Sequence, residues 1–181
     1  MLKKIKIHVK SMAEEDDWKY HILPVVNYSK RLSVIYKADK KVVGLAALLH
    51  DIGRIRFGEK NHEITGAKEA EKILKKYGYS RNTIDKIKHC IVSHRGSSKT
   101  KPKTIAAKII ANADAMAHFD SLPIFFYWRL GGRKFEEVFK WIDEKYKKDW
   151  NKKLTLPGSK KILKEKYKAI QIVLNSNKKY I

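Results

Sequence analysis

The chain contains a single cysteine, and that scarcity excludes an internal disulfide. Cys90 sits in the apolar stretch His89-Cys90-Ile91-Val92, where a buried structural thiol is expected. Long apolar runs are also missing: the longest, residues 45–49, is far too short to cross a bilayer, so no membrane partner is expected. The first ten residues alternate Lys with Ile instead of forming a continuous apolar segment, which argues against a secretory leader and makes the cytoplasm the expected compartment. There is no repeat and no low-complexity tract. Strict alternation of apolar and polar residues is rare outside residues 5–9, which leaves little room for strands. Acidic residues are few beside basic ones, 19 against 41, and the formal net charge is +22. A field of that sign concentrates anions and favours nucleotides, RNA and other phosphate-bearing partners. Lys-rich surfaces also arise in heat-adapted proteins, in networks with Glu.

What is present reads as helix almost throughout. Apolar residues recur three and four apart in most segments of the 181-residue chain, a length that suits one domain with a respectable core. A first long helix is expected over residues 14–36, with Pro24 kinking or breaking it and placing His21 close to the bend. Residues 38–49 are apolar on every side after Lys41, the mark of a buried central helix. It runs into His50-Asp51-Ile52-Gly53, where Gly53 suits a left-handed cap. Asn61 is a reasonable start for a helix ending at Gly78, and Ser80 or Asn82 for the next, towards His94. Residues 96–102 form a loop by composition, and residues 104–119 a strongly apolar helix with Asp114 deep within it. Residues 125–128 are aromatic and read as core, with stacking against a base as the other reading. Two amphipathic helices follow, over 134–150 and 159–175, separated by Leu156-Pro157-Gly158. Residues 1–125 are taken as the functional core and 126–181 as a helical extension packed on the same domain.

Four features call for a common explanation: His50 beside Asp51 at the end of an apolar helix, His21 upstream, Asp114 inside a later apolar helix, and His62 with His94 between them. A charged Asp in an apolar helix is costly unless it is paired or bound to a cation. Four N and O donors from separate helices can enclose a divalent metal, and the negative end of a helix favours a cation there. Such an ion polarises a phosphoryl oxygen and acidifies water near neutral pH. Each piece also has a plain reading: Asp114 paired with Lys108 or an Arg, and His21 packed against Trp18 or Tyr20.

Taken together, His21, Leu48-Leu49-His50-Asp51-Ile52-Gly53-Arg54 and Ile109-Ile110-Ala111-Asn112-Ala113-Asp114 resemble the signature of the HD-domain superfamily of metal-dependent phosphohydrolases. The likeness runs over residues 18–121. It implies an all-α, HD-domain-like bundle of about seven or eight helices, a metal held by His21, His50, Asp51 and Asp114, and hydrolysis of a phosphate mono- or diester. Some members of the family hold a second metal through the bridging Asp, and here Asn61-His62-Glu63 and Val92-Ser93-His94-Arg95 are similar to what the HD-GYP phosphodiesterases show. His62 and His94 are therefore expected to hold a second metal or the substrate phosphate. The Gly-Tyr-Pro motif itself is absent, so a cyclic dinucleotide is not supported as substrate.

Further expectations follow for the surroundings. Arg54 is a natural clamp on phosphate, since its planar guanidinium binds two oxygens at once, and Arg95 and Lys99 are further substrate-binding candidates. Asp51 is expected to orient the attacking water. Glu63 is a candidate proton donor or orienting partner of His62, and equally a helix-start acid. Asp120 resembles a second acid of some relatives, or else caps or pairs. His8, His89 and His118 are left outside the site, although His118 lies one turn after Asp114 on roughly the same face. Mixed His and carboxylate ligands suit Mn, Fe, Co, Ni or Zn better than Mg, with one ion or two per chain. The expected substrate is a nucleotide or other small phosphorylated metabolite, and an oligomer is compatible with the sequence. The rival readings are an RNA- or nucleotide-binding module with a non-catalytic HD fold, and a helical interaction protein with structural histidines.

Overall fold

The structure, a computed structural model, describes residues 1–96 and 99–178. In chain order the elements are α1 (Leu2–Met12), a three-residue α2 (Glu15–Asp17), a π-helical turn (Trp18–Ile22), α3 (Leu23–Ile35), α4 (Lys40–Leu49) and α5 (Ile52–Phe57). There follow α6 (His62–Lys76), α7 (Arg81–Ser93), α8 (Ile105–His118), α9 (Leu122–Leu130), α10 (Phe135–Lys148), a second π-helical turn (Asp149–Lys153) and α11 (Pro157–Asn177). Among the described residues there is no strand, so the architecture is all-α. Nor is any helix among them long and apolar enough to cross a membrane.

Two helices form the centre. In α4, Leu45, Ala46, Ala47 and Leu49 are fully buried, and α8 buries nearly its whole length. The alanines of both leave room for close approach, and α3, α7 and α1 pack around them. Asp39 caps α4 by accepting from the Lys41 and Val42 N–H groups, Ser80 caps α7, and Thr104 caps α8. Cys90 is buried in this core, and burial pushes its thiol up to about 12.

Residues 5–9, which alternate in sequence, belong to α1. Ile5 and Val9, four apart, are buried against the core while Ile7 between them is exposed. The helix spacing overrides the alternation because only one face of α1 meets α4.

The bend near Pro24 is a π-helical turn. An α-helical donor to the Tyr20 carbonyl would come from residue 24, and proline has no N–H to give. The Ser121 hydroxyl donates to that carbonyl at 2.5 Å, tying the turn to the end of α8. Gly53 does not serve as a left-handed cap: it lies inside α5, which restarts helix directly after Asp51. Its value is closeness, since a Cβ built there would stand 2.1 Å from the His62 carbonyl oxygen. The missing side chain lets α5 touch the start of α6.

The aromatic residues 125–128 are core only in part: Phe125 and Phe126 pack half-buried against it, while Tyr127 and Trp128 are exposed. α9 has no buried residue, and Tyr127 is 71% exposed. The C-terminal helices are pinned to the centre by polar contacts. Buried Asn112 in α8 donates to the Thr155 hydroxyl at 3.0 Å and accepts from the Leu156 N–H at 3.0 Å. Tyr146 donates to the His118 carbonyl at 2.6 Å, and Tyr36 accepts from the Gly158 N–H at 2.9 Å. The expected loop over residues 96–102 includes residues 97–98, which lie outside the described residues.

Candidate metal centre

The six residues expected to ligate metal converge on one cavity of about 570 Å³; five of them line it, and His50 stands fully buried directly behind. The π-helical turn presents His21, the junction of α4 and α5 presents His50 and Asp51, α6 opens with His62, His94 follows α7, and α8 carries Asp114. At Asp51 the backbone adopts φ −104° and ψ 13°, the sparsely populated bridge region, as the chain turns from one helix into the next.

Asp51 is the hub. Its Oδ2 lies 3.2 Å from His21 Nε2 and 3.6 Å from His50 Nε2. Its Oδ1 lies 3.3 Å from His62 Nε2 and 3.4 Å from His94 Nε2. Asp114 Oδ1 approaches His21 Nε2 at 3.4 Å. Each carboxylate oxygen of Asp51 thus faces its own pair of imidazoles.

The protons on these rings are fixed from behind. The Nδ1 atoms of His50, His62 and His94 lie 2.9, 3.1 and 2.6 Å from the carbonyl oxygens of Ala47, Glu59 and Ile91, three residues earlier in each case. A carbonyl only accepts, so Nδ1–H donates and Nε2 is left with a lone pair pointing into the cavity. Those lone pairs face one another, at 3.1 Å between His21 and His50 Nε2 and 3.4 Å between His62 and His94 Nε2, and they face carboxylate oxygens. Electron-rich atoms at such distances repel unless a proton or a cation stands between them. Metal bonds to N or O of about 2.0–2.2 Å place two donors on one ion no more than about 4.2 Å apart. The donor set therefore fits divalent metal, and among the described residues three overlapping groups can hold it: His21 with His50 and Asp51; Asp51 with His62 and His94; and His21 with Asp114 and His118.

The electrostatics agree with a cation site. Burial works against ionisation of Asp51, but His50, and after it His21, His62 and His94, hold its carboxyl well below the usual range. Burial pushes His50 down to about 4, helped by His21 and His94, so it is neutral and able to ligate.

Other expectations are corrected. Glu63 neither orients His62 nor lines the cavity: it accepts from Arg95 Nη1 at 3.1 Å. Burial works against it, yet its own backbone N–H and Arg95 keep its carboxyl below the ordinary value, which suits an acceptor and not a proton donor. Lys99 is exposed and is not among the cavity-lining residues. Arg54 and Arg95 do line the cavity, but both are already engaged. Arg54 donates to Asp51 at 2.9 Å and Asp17 at 3.0 Å, and Arg95 to Glu59 and Glu63. Asp120 lies away from the cavity and accepts from Tyr28 and Lys166. Asp114 has no ion pair with Lys108; its cationic neighbour is Lys153, at 4.0 Å.

The far wall was not expected from the sequence. Residues after 125 supply Trp128, Arg129, Trp141, Lys145, Lys148 and Lys153 to the same cavity. Arg129 lies over the Trp141 ring at 3.9 Å and Lys145 over Phe125 at 5.1 Å. His118 joins them, its Nδ1 2.6 Å from Asp149 Oδ2 and its Nε2 3.9 Å from Asp114 Oδ1. Burial, then Lys145, pushes His118 down to about 4.

Comparison with known proteins agrees with this picture. The HD domain pattern matches residues 18–118. A tRNA (cytidine(56)-2'-O)-methyltransferase of Picrophilus torridus is 31% identical over 116 residues, covering 56% of this chain and 32% of the relative. Ribonuclease Y of Desulforudis audaxviator is 30% identical over 99 residues, covering 54% of this chain and 17% of the relative. The chain thus spans only a third or less of the curated relatives it matches. Among solved structures, Lin1889 of Listeria innocua superposes with a TM-score of 0.73 at 19% identity, covering 98% of this chain and 95% of that one. Bacillus subtilis YpgQ, solved in complex with ADP, gives 0.69 at 18% identity, with 99% and 94% covered. A predicted HD superfamily hydrolase from an uncultured Thermotogales bacterium gives 0.56 at 23%, with 80% and 84% covered. At these identities the structures speak for the fold. The matched segment spans more than half the chain and contains the His21, His50–Asp51 and Asp114 cluster, so the chain belongs to the HD domain family.

Proposed function

We propose that the protein is a metal-dependent phosphohydrolase acting on a phosphate mono- or diester of a nucleotide or similarly small phosphorylated molecule. The observation that carries this is the placement of Asp51 between two pairs of inward-turned Nε2 atoms, one pair to each oxygen. We assign His21, His50, Asp51 and Asp114 to one divalent ion, and Asp51, His62 and His94 to a second. Bound there, the ions supply Lewis acidity, polarising a phosphoryl oxygen and acidifying water. Imidazole with carboxylate suits Mn, Fe, Co, Ni or Zn.

The chain's own residues do the rest. Arg54 fixes the carboxylate plane of Asp51 by donating to Oδ2, and Asp17 fixes Arg54 in turn. The backbone carbonyls behind His50, His62 and His94 hold each ring in one tautomer. Across the cavity Arg129 and Lys148 offer positive charge to the non-reacting part of a phosphorylated substrate, beside Lys145 and Lys153, which pair with Asp149, and Trp128 and Trp141 offer flat apolar surface. A screen of phosphorylated metabolites against several divalent cations, with Asp51→Ala as the blank, tests this reading. Metal-stimulated turnover that disappears in the blank is the expected outcome. Equal turnover in the Asp51 variant overturns it.

A second reading has its own support: the two curated relatives are named for RNA, and the net charge of +22 favours polyanions. In that reading the chain binds RNA or nucleotides without turning them over. Filter binding over a salt series separates the two, since a steep salt slope without turnover in any metal favours binding alone.

A further inference from the structure

Resting on the metal-dependent reading above, we infer that His118 is a further ligating residue of the centre and that Asp149, from the C-terminal helices, is the positioning residue that aims it. His118 Nε2 stands 3.9 Å from Asp114 Oδ1, and His21 Nε2 stands 3.4 Å from the same oxygen. Both separations lie inside the roughly 4.2 Å that two ligands of one ion can span. The His21 and His118 rings are nearly parallel, with centroids 5.8 Å apart. Both imidazoles therefore address one carboxylate oxygen from neighbouring positions.

The proton on His118 is fixed as it is on the other histidines, with a stronger partner. Asp149 is 1% exposed, and its Oδ2 lies 2.6 Å from His118 Nδ1. The Asp149 carboxylate only accepts, so an Nδ1–H donated to it leaves the Nε2 lone pair turned towards Asp114, while Lys145 Nζ, 3.0 Å from the same Nδ1, donates to Asp149 Oδ2. Lys145 donates to Asp149 Oδ2 at 3.2 Å, and Lys153 Nζ lies 3.2 Å from Oδ1. Lys153 approaches Asp114 only on its other oxygen, Oδ2, at 4.0 Å. Oδ1 of Asp114 stays available to the two imidazoles. A carboxylate behind a ligating imidazole fixes its ring and raises its basicity, and losing such a partner costs about 10–100-fold in metal affinity. Residues 145–153 thereby help to build the centre as well as to wall the cavity.

The test is Mn²⁺ binding to the metal-stripped full-length chain, followed by electron paramagnetic resonance, for wild type, His118→Gln, His118→Ala and Asp149→Asn. Circular dichroism and thermal melting check the fold of each, and the glutamine variant covers the case in which the alanine variant fails to fold. The expected result is Mn²⁺ affinity lowered about 10–100-fold for at least one ion in the folded His118 variants, and about 10-fold in Asp149→Asn. Wild-type affinity in a folded His118 variant overturns this inference and leaves the metal assignment to Asp51 standing. A wild-type chain that binds no Mn²⁺, Fe²⁺, Co²⁺, Ni²⁺ or Zn²⁺ overturns the metal-dependent reading itself.

Discussion

Asp51 accepts from Arg54 on one oxygen while two imidazoles approach each side of its carboxylate. Changing it to Ala removes the carboxylate common to two of the three metal-capable groups among the described residues, so metal-stimulated hydrolysis should fall by more than about 100-fold, beyond what loss of a supporting partner costs. Arg54→Lys is expected to be milder. A lysine cannot span Asp51 and Asp17 together, so metal affinity should drop about 10-fold, which isothermal titration with Mn²⁺ would read; unchanged affinity would remove Arg54 from its orienting role. At this scale the sequence was informative where polar residues stand against an apolar background. His50, Asp51 and Asp114 are conspicuous because ionisable groups in buried helices need partners. His118, although one turn after Asp114, stays outside the expected site because nothing near it in sequence marks its partner, and Asp149 stands among lysines four residues away on either side until tertiary packing buries it. Glu63 misled for the converse reason: its pairing with Arg95, thirty-two residues away, is invisible in a linear string.

Between helices, the contact of α5 with α6 sets the distance from Asp51 to His62. Gly53→Ala places a methyl group against the His62 carbonyl and must push the two helices apart. It is expected to cost about 1–3 kcal/mol of stability, measured by urea denaturation, and to weaken metal binding as well; wild-type stability would show that the contact relaxes freely. The π-helical turn makes a second case. Ser121→Ala leaves the Tyr20 carbonyl without its hydroxyl donor, for an expected loss of about 1–3 kcal/mol in the same measurement. The helices themselves were largely legible, because apolar spacing, the caps Ser80 and Thr104, and Gly78 with φ of 71° are local signals. Two features were not. Gly53 reads as a cap in sequence because a glycine after a helix usually is one, whereas a close approach between helices depends on a partner thirteen residues away, Gly66. The residues of α9 read as core because aromatic runs bury large areas, but here Phe125 and Phe126 are only half-buried against it, and Phe125 and Trp128 wall an open cavity.

Over the whole molecule, the net charge of +22 and the cationic far wall of the cavity act together on an anionic substrate. Raising the salt concentration should therefore raise KM while leaving kcat nearly constant, because screening weakens capture and not the buried centre; a flat KM would show that the surface charge plays no part. The same field was plain in the composition, but its focus on one cavity wall emerges only when residues after 125 fold back over α8. The central claim is that two imidazole pairs around Asp51 hold divalent metal for hydrolysis, and metal analysis coupled to activity addresses it most directly. The chain is stripped with a chelator, reloaded with each cation in turn, and assayed on a generic phosphoester. The expected result is no turnover when stripped, turnover restored with stoichiometric metal, and neither stoichiometric metal nor turnover in Asp51→Ala. Full activity in the stripped protein, or stoichiometric metal retained in Asp51→Ala, would contradict it.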